Sequence, residues 1–332
     1  MRMRTTAVLS PSVLTLDPAA TASRIETSIR GIVRSQLRRR GVVVGLSGGV
    51  DSSVVGVLAA RALGAENVLG LLMPEADSSP DSERLARMLT AAFHIRSVVE
   101  DITGMLTAAG CYRRRDEAIR SVVPEYGAGD RSKIVLPDLI RRPGYPIYSV
   151  VVVTPAGGER RARLTLAAYL GIVAATNFKQ RIRKMMEYHY ADLCRFAVAG
   201  TPNLLEHDQG FFVKHGDGSA DLKPIAHLYK SQVYQLAEYL GIPDEIRSRR
   251  PTTDTYSLDQ SQEEFYFGLS LQQTDLSLYA LDHGVSPEQS AEAVGLTPDD
   301  MARVYQIIRS KREAARYLHT PPVLIERAEE LR

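Results

Sequence analysis

The sequence predicts an α/β fold, a doubly wound parallel sheet with helices on both faces. Short, wholly apolar segments alternate with segments whose apolar residues recur at helical spacing, as parallel strands buried on both faces do when crossover helices join them. A Gly/Ser-rich turn links the first of these strands to the next helix, at the edge where open α/β sheets bind ligands. The 332 residues are 44% hydrophobic and 24% charged, which supplies a large core and excludes disorder as the main state.

Taken in order, residues 1–22 place Arg2 and Arg4 ahead of a mildly apolar run that Ser10, Pro11, Ser12 and Asp17-Pro18 break up. A signal-peptide core would be continuous, so a frayed N-terminal arm is expected. From Ser23 to Arg40, the residues Ile25, Ile29, Ile32, Val33 and Leu37 lie at helical spacing, and Arg38 to Arg40 bring positive charge to the negative end of the helix dipole. Val42 to Val44 reads as a strand, Val54 to Leu63 as a helix closed by Gly64, and Val68 to Met73 as a second strand. Ser82 to Ala92 is the next helix, Ile95 to Val99 the third strand, and Phe196 to Gly200 a later one. Between about 110 and 165 the alternation lapses into an insertion, in which Tyr148 to Thr154 and Arg160 to Leu166 form a hairpin around Pro155-Ala156-Gly157-Gly158. Residues 23–271 are thus expected to form the main domain with that insertion. Residues 272–332 are expected to be a C-terminal helical extension packed on it, with Asp299 to Leu318 as a long helix stopped by Pro321-Pro322.

Composition narrows the function. Lys plus Arg number 41 and Asp plus Glu 39, a net charge of +2, which argues against a dedicated nucleic-acid binder. No apolar run reaches the roughly 20 residues of a membrane span. Cys111 and Cys194 stand far apart, which excludes a disulfide framework or structural zinc site and fits a reducing cytoplasm.

The chemistry concentrates in Gly45-Leu46-Ser47-Gly48-Gly49-Val50-Asp51-Ser52-Ser53. Glycines let backbone approach a ligand, hydroxyls donate hydrogen bonds, and the N–H groups of a helix N-terminus point at an anion, so phosphate is the natural guest. A GxxxxGK[ST] loop would carry a lysine near its end, whereas this one has Asp51, and a carboxylate beside phosphates calls for a compensating Mg²⁺.

This segment resembles the SGGxDS pyrophosphate loop of ATP pyrophosphatases, which split ATP to AMP and pyrophosphate while activating a carboxylate or carbonyl oxygen. Five specified residues recur by chance about once in a million positions. Further blocks follow: Asn177 to Glu187 (NFKQRIRKMME), Gly200-Thr201-Pro202-Asn203-Leu204-Leu205-Glu206, Phe211 to Asp221, Pro224-Ile225, Lys230 and Pro251-Thr252-Thr253. Their order and spacing are similar to those of ammonia-dependent NAD⁺ synthetases, over roughly residues 20 to 270 and more loosely beyond.

The resemblance implies a Rossmann-like domain that adenylates the nicotinate carboxylate of deamido-NAD⁺ with ATP, releases pyrophosphate, and lets ammonia displace AMP. Carried over by position, Gly45, Leu46, Ser47, Gly48, Gly49, Val50, Asp51, Ser52, Thr201, Lys230 and Thr252 would contact ATP. Asp51 and Glu206 would ligate Mg²⁺. Arg181, Lys214, Asp221 and Lys311 would hold the deamido-NAD⁺, and Asp51, Lys230 and Lys214 would be catalytic. The resemblance also implies a homodimer, and the lack of room before Ser23 for an amidase domain implies ammonia that is free or supplied by a separate glutaminase.

Several positions have independent physical readings. Lys230 falls near a helix start, where the dipole disfavours a cation unless an anion lies close. Glu206 follows a strand at the carboxyl edge of the sheet. Gly216 and Gly218 around Asp217 predict a tight turn that would present Lys214 and Asp221 from opposite sides. Lys179, Arg183 and Lys184 share a helix with Arg181 but have no counterpart role, and are expected to be solvated. Three departures stand out: the insertion, Pro202 with Leu204-Leu205 before Glu206, and Ser310-Lys311 where relatives carry a His-Lys pair. They leave two alternative readings, an adenylating ammonia ligase acting on another carboxylate and a tRNA-modifying enzyme of the same loop type.

Overall fold

A computed structural model of the chain describes residues 9–136, 148–250, 256–258 and 269–325. Helix α1 (Pro18–Gly31) starts where Asp17 accepts a hydrogen bond from the Ala20 N–H, and leads through a short π-helical turn (Ile32–Gln36) to β1 (Val42–Gly45). There follow α2 (Val50–Leu63), β2 (Val68–Leu72), α3 (Pro80–Ala92), β3 (Arg96–Val99), α4 (Thr103–Ala108) and α5 (Cys111–Arg120). Three strands come next, β4 (Arg131–Val135), β5 (Ser149–Val153) and β6 (Glu159–Arg163). The chain continues through the 29-residue α6 (Leu166–Cys194), β7 (Ala197–Ala199), α7 (Leu204–Gln209), α8 (Lys230–Tyr239) and α9 (Asp244–Arg247). It closes with α10 (Leu271–Asp282), α11 (Pro287–Val294) and α12 (Pro298–His319).

Strands β3, β2, β1 and β7 form a parallel sheet in that order, with Val43 of β1 in register with Leu69 and Val198. The two-residue strand period sorts the apolar side chains onto its faces. Val42, Val44, Val68, Leu72, Ala197 and Ala199 pack with α1, α2 and α8, while Val43, Leu69, Leu71 and Val198 pack with α5 and α6. The doubly wound architecture is therefore the one expected, with all three predicted N-terminal strands within a residue or two of their observed limits.

Some elements differ from expectation for identifiable reasons. Helix α2 begins at Val50, four residues early, because the glycine loop runs straight into the helix through Gly49 as N-cap. The described part of the N-terminal arm is folded rather than frayed. Leu9 and Leu14 are buried against α10, α11 and α12, and the Gln235 amide donates to the Leu14 carbonyl and accepts from the Leu16 N–H. The serines and proline that broke its apolar run form a short 3₁₀ turn (Pro11–Leu14). The lapse in α/β alternation also starts later than 110. Helix α5 buries Cys111, Arg115 and Ile119 at i, i+4, i+8, and its arginines hide that stripe from a reading based on apolar spacing. The expected hairpin is present as β5 and β6, joined by β4 into an antiparallel sheet of order β4–β5–β6. Its C-terminal arm stops at Arg163, since Thr165 caps α6 by accepting from the Ala168 N–H. Ile134, Val150 and Val152 of this sheet pack on α5 and the first turns of α6. Among the described residues, no helix is long and apolar enough to cross a membrane.

Candidate active site

Parallel strands present their carboxyl ends to a common edge, and here those of β1, β2 and β7 open into a cleft of about 250 Å³. Gly45, Leu46, Ser47, Gly49, Val50, Asp51 and Ser52 form its floor at the N-terminus of α2. The first N–H groups of a helix have no partner within it, so this floor is lined with donors. Ser47 and Ser52 hold the loop in shape, with their hydroxyls 3.2 Å apart and the Ser52 hydroxyl donating to the Gly49 carbonyl at 3.1 Å. Gly48 turns the chain behind the floor with φ +73°, and a Cβ there would meet the Ser82 carbonyl oxygen at 2.4 Å. Gly45 is less constrained, because a Cβ there would come within 2.8 Å of Glu187 Oε1, the tip of a side chain that would have to shift.

Across the cleft, Lys230 is the first residue of α8 and is 1% exposed. Its ammonium pairs with the Asp51 carboxylate, which supplies the anion that a cation at a helix N-terminus requires. Burial opposes the Lys230 charge, but Asp51 and Glu206 outweigh it and its pKa is raised. Asn203 links the two carboxylates, its Nδ2 donating to Asp51 Oδ1 and its backbone N–H to Glu206 Oε2, both at 3.1 Å. Burial, with Asp51 close by, pushes the Glu206 carboxyl up to about 8. Burial likewise raises Asp217, whose Oδ1 accepts from the Val213 N–H at 2.7 Å within the expected Gly216–Gly218 turn. Among the described residues, no three His, Cys, Asp or Glu side chains cluster as a self-sufficient metal cage.

Thr201 and Glu206 also line the cleft, so it gathers ten of the residues singled out from sequence, together with Gly48 behind them. Thr252 lies outside the described residues. Arg181, Lys214, Asp221 and Lys311 do not line the cleft. Exposed Arg181 donates from Nε to the Lys214 carbonyl at 3.3 Å. The Lys214 ammonium donates to the Tyr317 and Thr320 carbonyls at 2.8 and 3.0 Å, at the end of α12. Asp221 accepts from the Val198 N–H at 2.7 Å beside β7. Burial pushes the Lys311 ammonium down to about 8.

Lys179 and Lys184 are 1% and 5% exposed, against the expectation that they are solvated. Lys184 pairs with Glu187 one turn on, while Lys179 pairs with Glu75 and Asp77, about a hundred residues away and invisible to a helical pattern. Arg183, Gln180 and Glu187 line the cleft, as do Arg249 and Arg250, and sequence reasoning missed them all. Asn203 was missed although its signal was present. Asn203-Leu204-Leu205-Glu206 is a capping box, with the asparagine accepting from the Glu206 N–H.

Comparison with known proteins places these features in a family. The family described as NAD synthase matches residues 21–123 and 162–317, leaving 124–161, with β4, β5 and the start of β6, unmatched. The NH(3)-dependent NAD(+) synthetase of Rhizobium rhizogenes is 54% identical over 318 residues, covering 96% of either chain. That of Rhizobium meliloti is 55% identical over 324 residues, 98% of this chain and 97% of its own. Among solved structures, an NH3-dependent NAD synthetase from Campylobacter jejuni shares the fold with a TM-score of 0.61 at 23% identity, over 94% of this chain and all of that one.

Two measurements test the electrostatics. Asn203→Ala removes a helix cap and the brace on Asp51, and should lower unfolding free energy by about 1–2 kcal/mol in urea titrations. Lys311 has a folded-state pKa below its unfolded one, so it binds fewer protons when folded and its penalty fades as pH rises from about 8 towards the ordinary lysine value of 10.5. The stability of the unsubstituted chain relative to Lys311→Met should therefore improve between pH 7.5 and pH 10 in denaturant titrations. A constant difference would contradict this.

Proposed function

This chain belongs to the NAD synthase family, and on that premise we propose how its cleft carries out the ATP-dependent amidation that yields NAD⁺. In this reading the acid is the nicotinate carboxylate of deamido-NAD⁺. The nitrogen comes from ammonia, free or delivered by a separate glutaminase. The observation that carries the reading is the glycine-serine loop opening α2 with Asp51 and Lys230 across it.

A carboxylate is a poor electrophile, and attack of its oxygen on the α-phosphorus of ATP converts it to an acyl adenylate with pyrophosphate leaving. Ammonia then adds to the acyl carbon, AMP departs, and the nitrogen loses a proton to leave the amide. Both steps crowd negative charge, which preorganised donors and cations stabilise. Ser47, Gly48, Gly49 and the N–H groups of Val50, Asp51 and Ser52 would cradle the phosphates, with Thr201 and Thr252 contacting the rest of ATP. Lys230 would neutralise charge on the phosphates. Asp51 would orient that ammonium, since its carboxylate already holds it.

The donor set also fits Mg²⁺. Asp51 and Glu206 are hard oxygen ligands, Mg²⁺ typically takes one or two carboxylates plus substrate phosphates and water, and two neighbouring half-buried acids against one lysine leave Glu206 with a raised pKa that a cation would relieve. Bound by these two residues, it would screen the phosphate charge.

The acceptor residues lie outside the cleft, and a second copy of the chain accounts for this. Leu166, Leu170 and Met185 are 73%, 53% and 54% exposed on one side of α6, and Arg181 shares that side by helical spacing. A homodimer covering this stripe would bring a subunit boundary to Arg181 and, through its carbonyl, Lys214, where deamido-NAD⁺ would lie with Asp221 and Lys311. The two cysteines are free, which supports a reducing cytoplasmic setting.

With ATP, Mg²⁺, ammonium and deamido-NAD⁺, the purified protein should form AMP and NAD⁺ in equal amounts, and Asp51→Asn should lower kcat about 100-fold or more. Formation of ADP, or of AMP only with another carboxylic acid, would overturn the reading. In sedimentation at micromolar concentration the chain should be dimeric and Leu170→Glu monomeric; a monomeric unsubstituted chain would remove the dimer.

A further inference from the structure

One wall of the cleft is the loop between β2 and α3, Met73-Pro74-Glu75-Ala76-Asp77-Ser78-Ser79. Met73, Pro74, Ser78 and Ser79 face the cleft, while Glu75 and Asp77 turn away from it into a buried ionic quartet. The Lys179 ammonium, on α6, lies 2.9 Å from Glu75 Oε1 and 2.7 Å from Asp77 Oδ2. Arg115, on α5, donates from Nη1 to the same Asp77 oxygen at 2.5 Å and from Nε to Asp116 at 2.9 Å. Glu75 Oε2 accepts from the Tyr112 hydroxyl at 2.7 Å and from the loop's own Asp77 N–H at 3.1 Å. The four charged side chains are between 0% and 12% exposed. Two acids face two bases, and the attraction of Lys179 and Arg115 holds Asp77 below its ordinary pKa although burial pushes the other way.

Burying four ions is a poor route to stability, because well-packed apolar residues in their place are often as stable or more so. What such a quartet does supply is a fixed position for three separate elements. The loop closes on itself through Ser78, whose N–H donates to the Glu75 carbonyl and whose hydroxyl accepts from the Glu75 N–H. Its outside ties include the quartet with Tyr112, the Ile102 N–H donating to the Pro74 carbonyl at 3.0 Å and the Arg183 Nε–H donating to the Met73 carbonyl at 3.5 Å. We propose that Glu75, Asp77, Lys179 and Arg115 are positioning residues that anchor this loop to α5 and α6 and so preform the wall against which ATP binds. The inference rests on the reading of the cleft as an ATP site.

The test uses the full chain with Lys179→Met, Asp77→Asn and the milder Tyr112→Phe, which removes one hydrogen bond and no charge. ATP binding is measured by calorimetry with Mg²⁺ and no acceptor, then steady-state kinetics, then backbone hydrogen exchange over residues 74–79. Lys179→Met and Asp77→Asn should raise the Kd and KM for ATP about tenfold, and Tyr112→Phe about threefold, with kcat and the KM for ammonium within about twofold. Exchange of the loop should quicken in the same order, and Lys179→Arg should recover most of the affinity. If Lys179→Met fails to fold, Tyr112→Phe alone decides. An unchanged ATP KM with unchanged loop exchange, or a fall in kcat at constant KM, would overturn the inference while leaving the ATP reading intact. Failure of the unsubstituted chain to bind ATP would overturn both.

Discussion

The pairing of Asp51 with Lys230 organises the site. The two residues stand 179 positions apart, one in the first turn of α2 and the other opening α8, and their contact requires both helices to begin at the same edge of the sheet. Lys230 would not be tolerated alone, since a buried ammonium without an anion, at the positive end of a helix dipole, is strongly disfavoured. Asn203 and Glu206 bring a third helix start into the same cluster. The parallel sheet is what allows this convergence, because every strand in it ends on that side.

The parts of the fold legible from sequence were those with strong periodicity and short range. β1, β2 and the glycine loop are contiguous, wholly apolar or compositionally distinctive, and their positions follow from residues 42–73 alone. The loop's place between a strand and a helix start was equally legible, because its glycines and serines separate an apolar run from a helical pattern. Helix α5 was not legible, because Arg113 to Arg115 and Arg120 mask a stripe whose buried members include a charged residue. The β4 strand escaped notice for a related reason, since only Ser132 and Ile134 of it are buried.

Charge placement was the least legible property. A basic helix such as that around Lys179 to Lys184 reads as a solvated face, yet Lys179 and Lys184 are buried and Arg181 is exposed. The acids that make this possible, Glu75 and Asp77, belong to a loop with no periodic signal. The residues that the resemblance singled out for the acceptor illustrate the complementary limit. Arg181, Lys214 and Asp221 were located by resemblance, but their distribution around the end of α12 and the edge of β7 depends on packing that no local pattern encodes.

Helix α6 has a further consequence for how this chain can vary. Three successive residues, Lys179, Gln180 and Arg181, go respectively into the ionic quartet, the cleft and the outer face. Each residue advances the helix by about 100°, so gain or loss of a single amino acid upstream within α6 would rotate all three assignments out of phase at once. Length changes are therefore better tolerated at its flanks, and it is ahead of its N-terminus that residues 124–161 fall outside the match to the family's model.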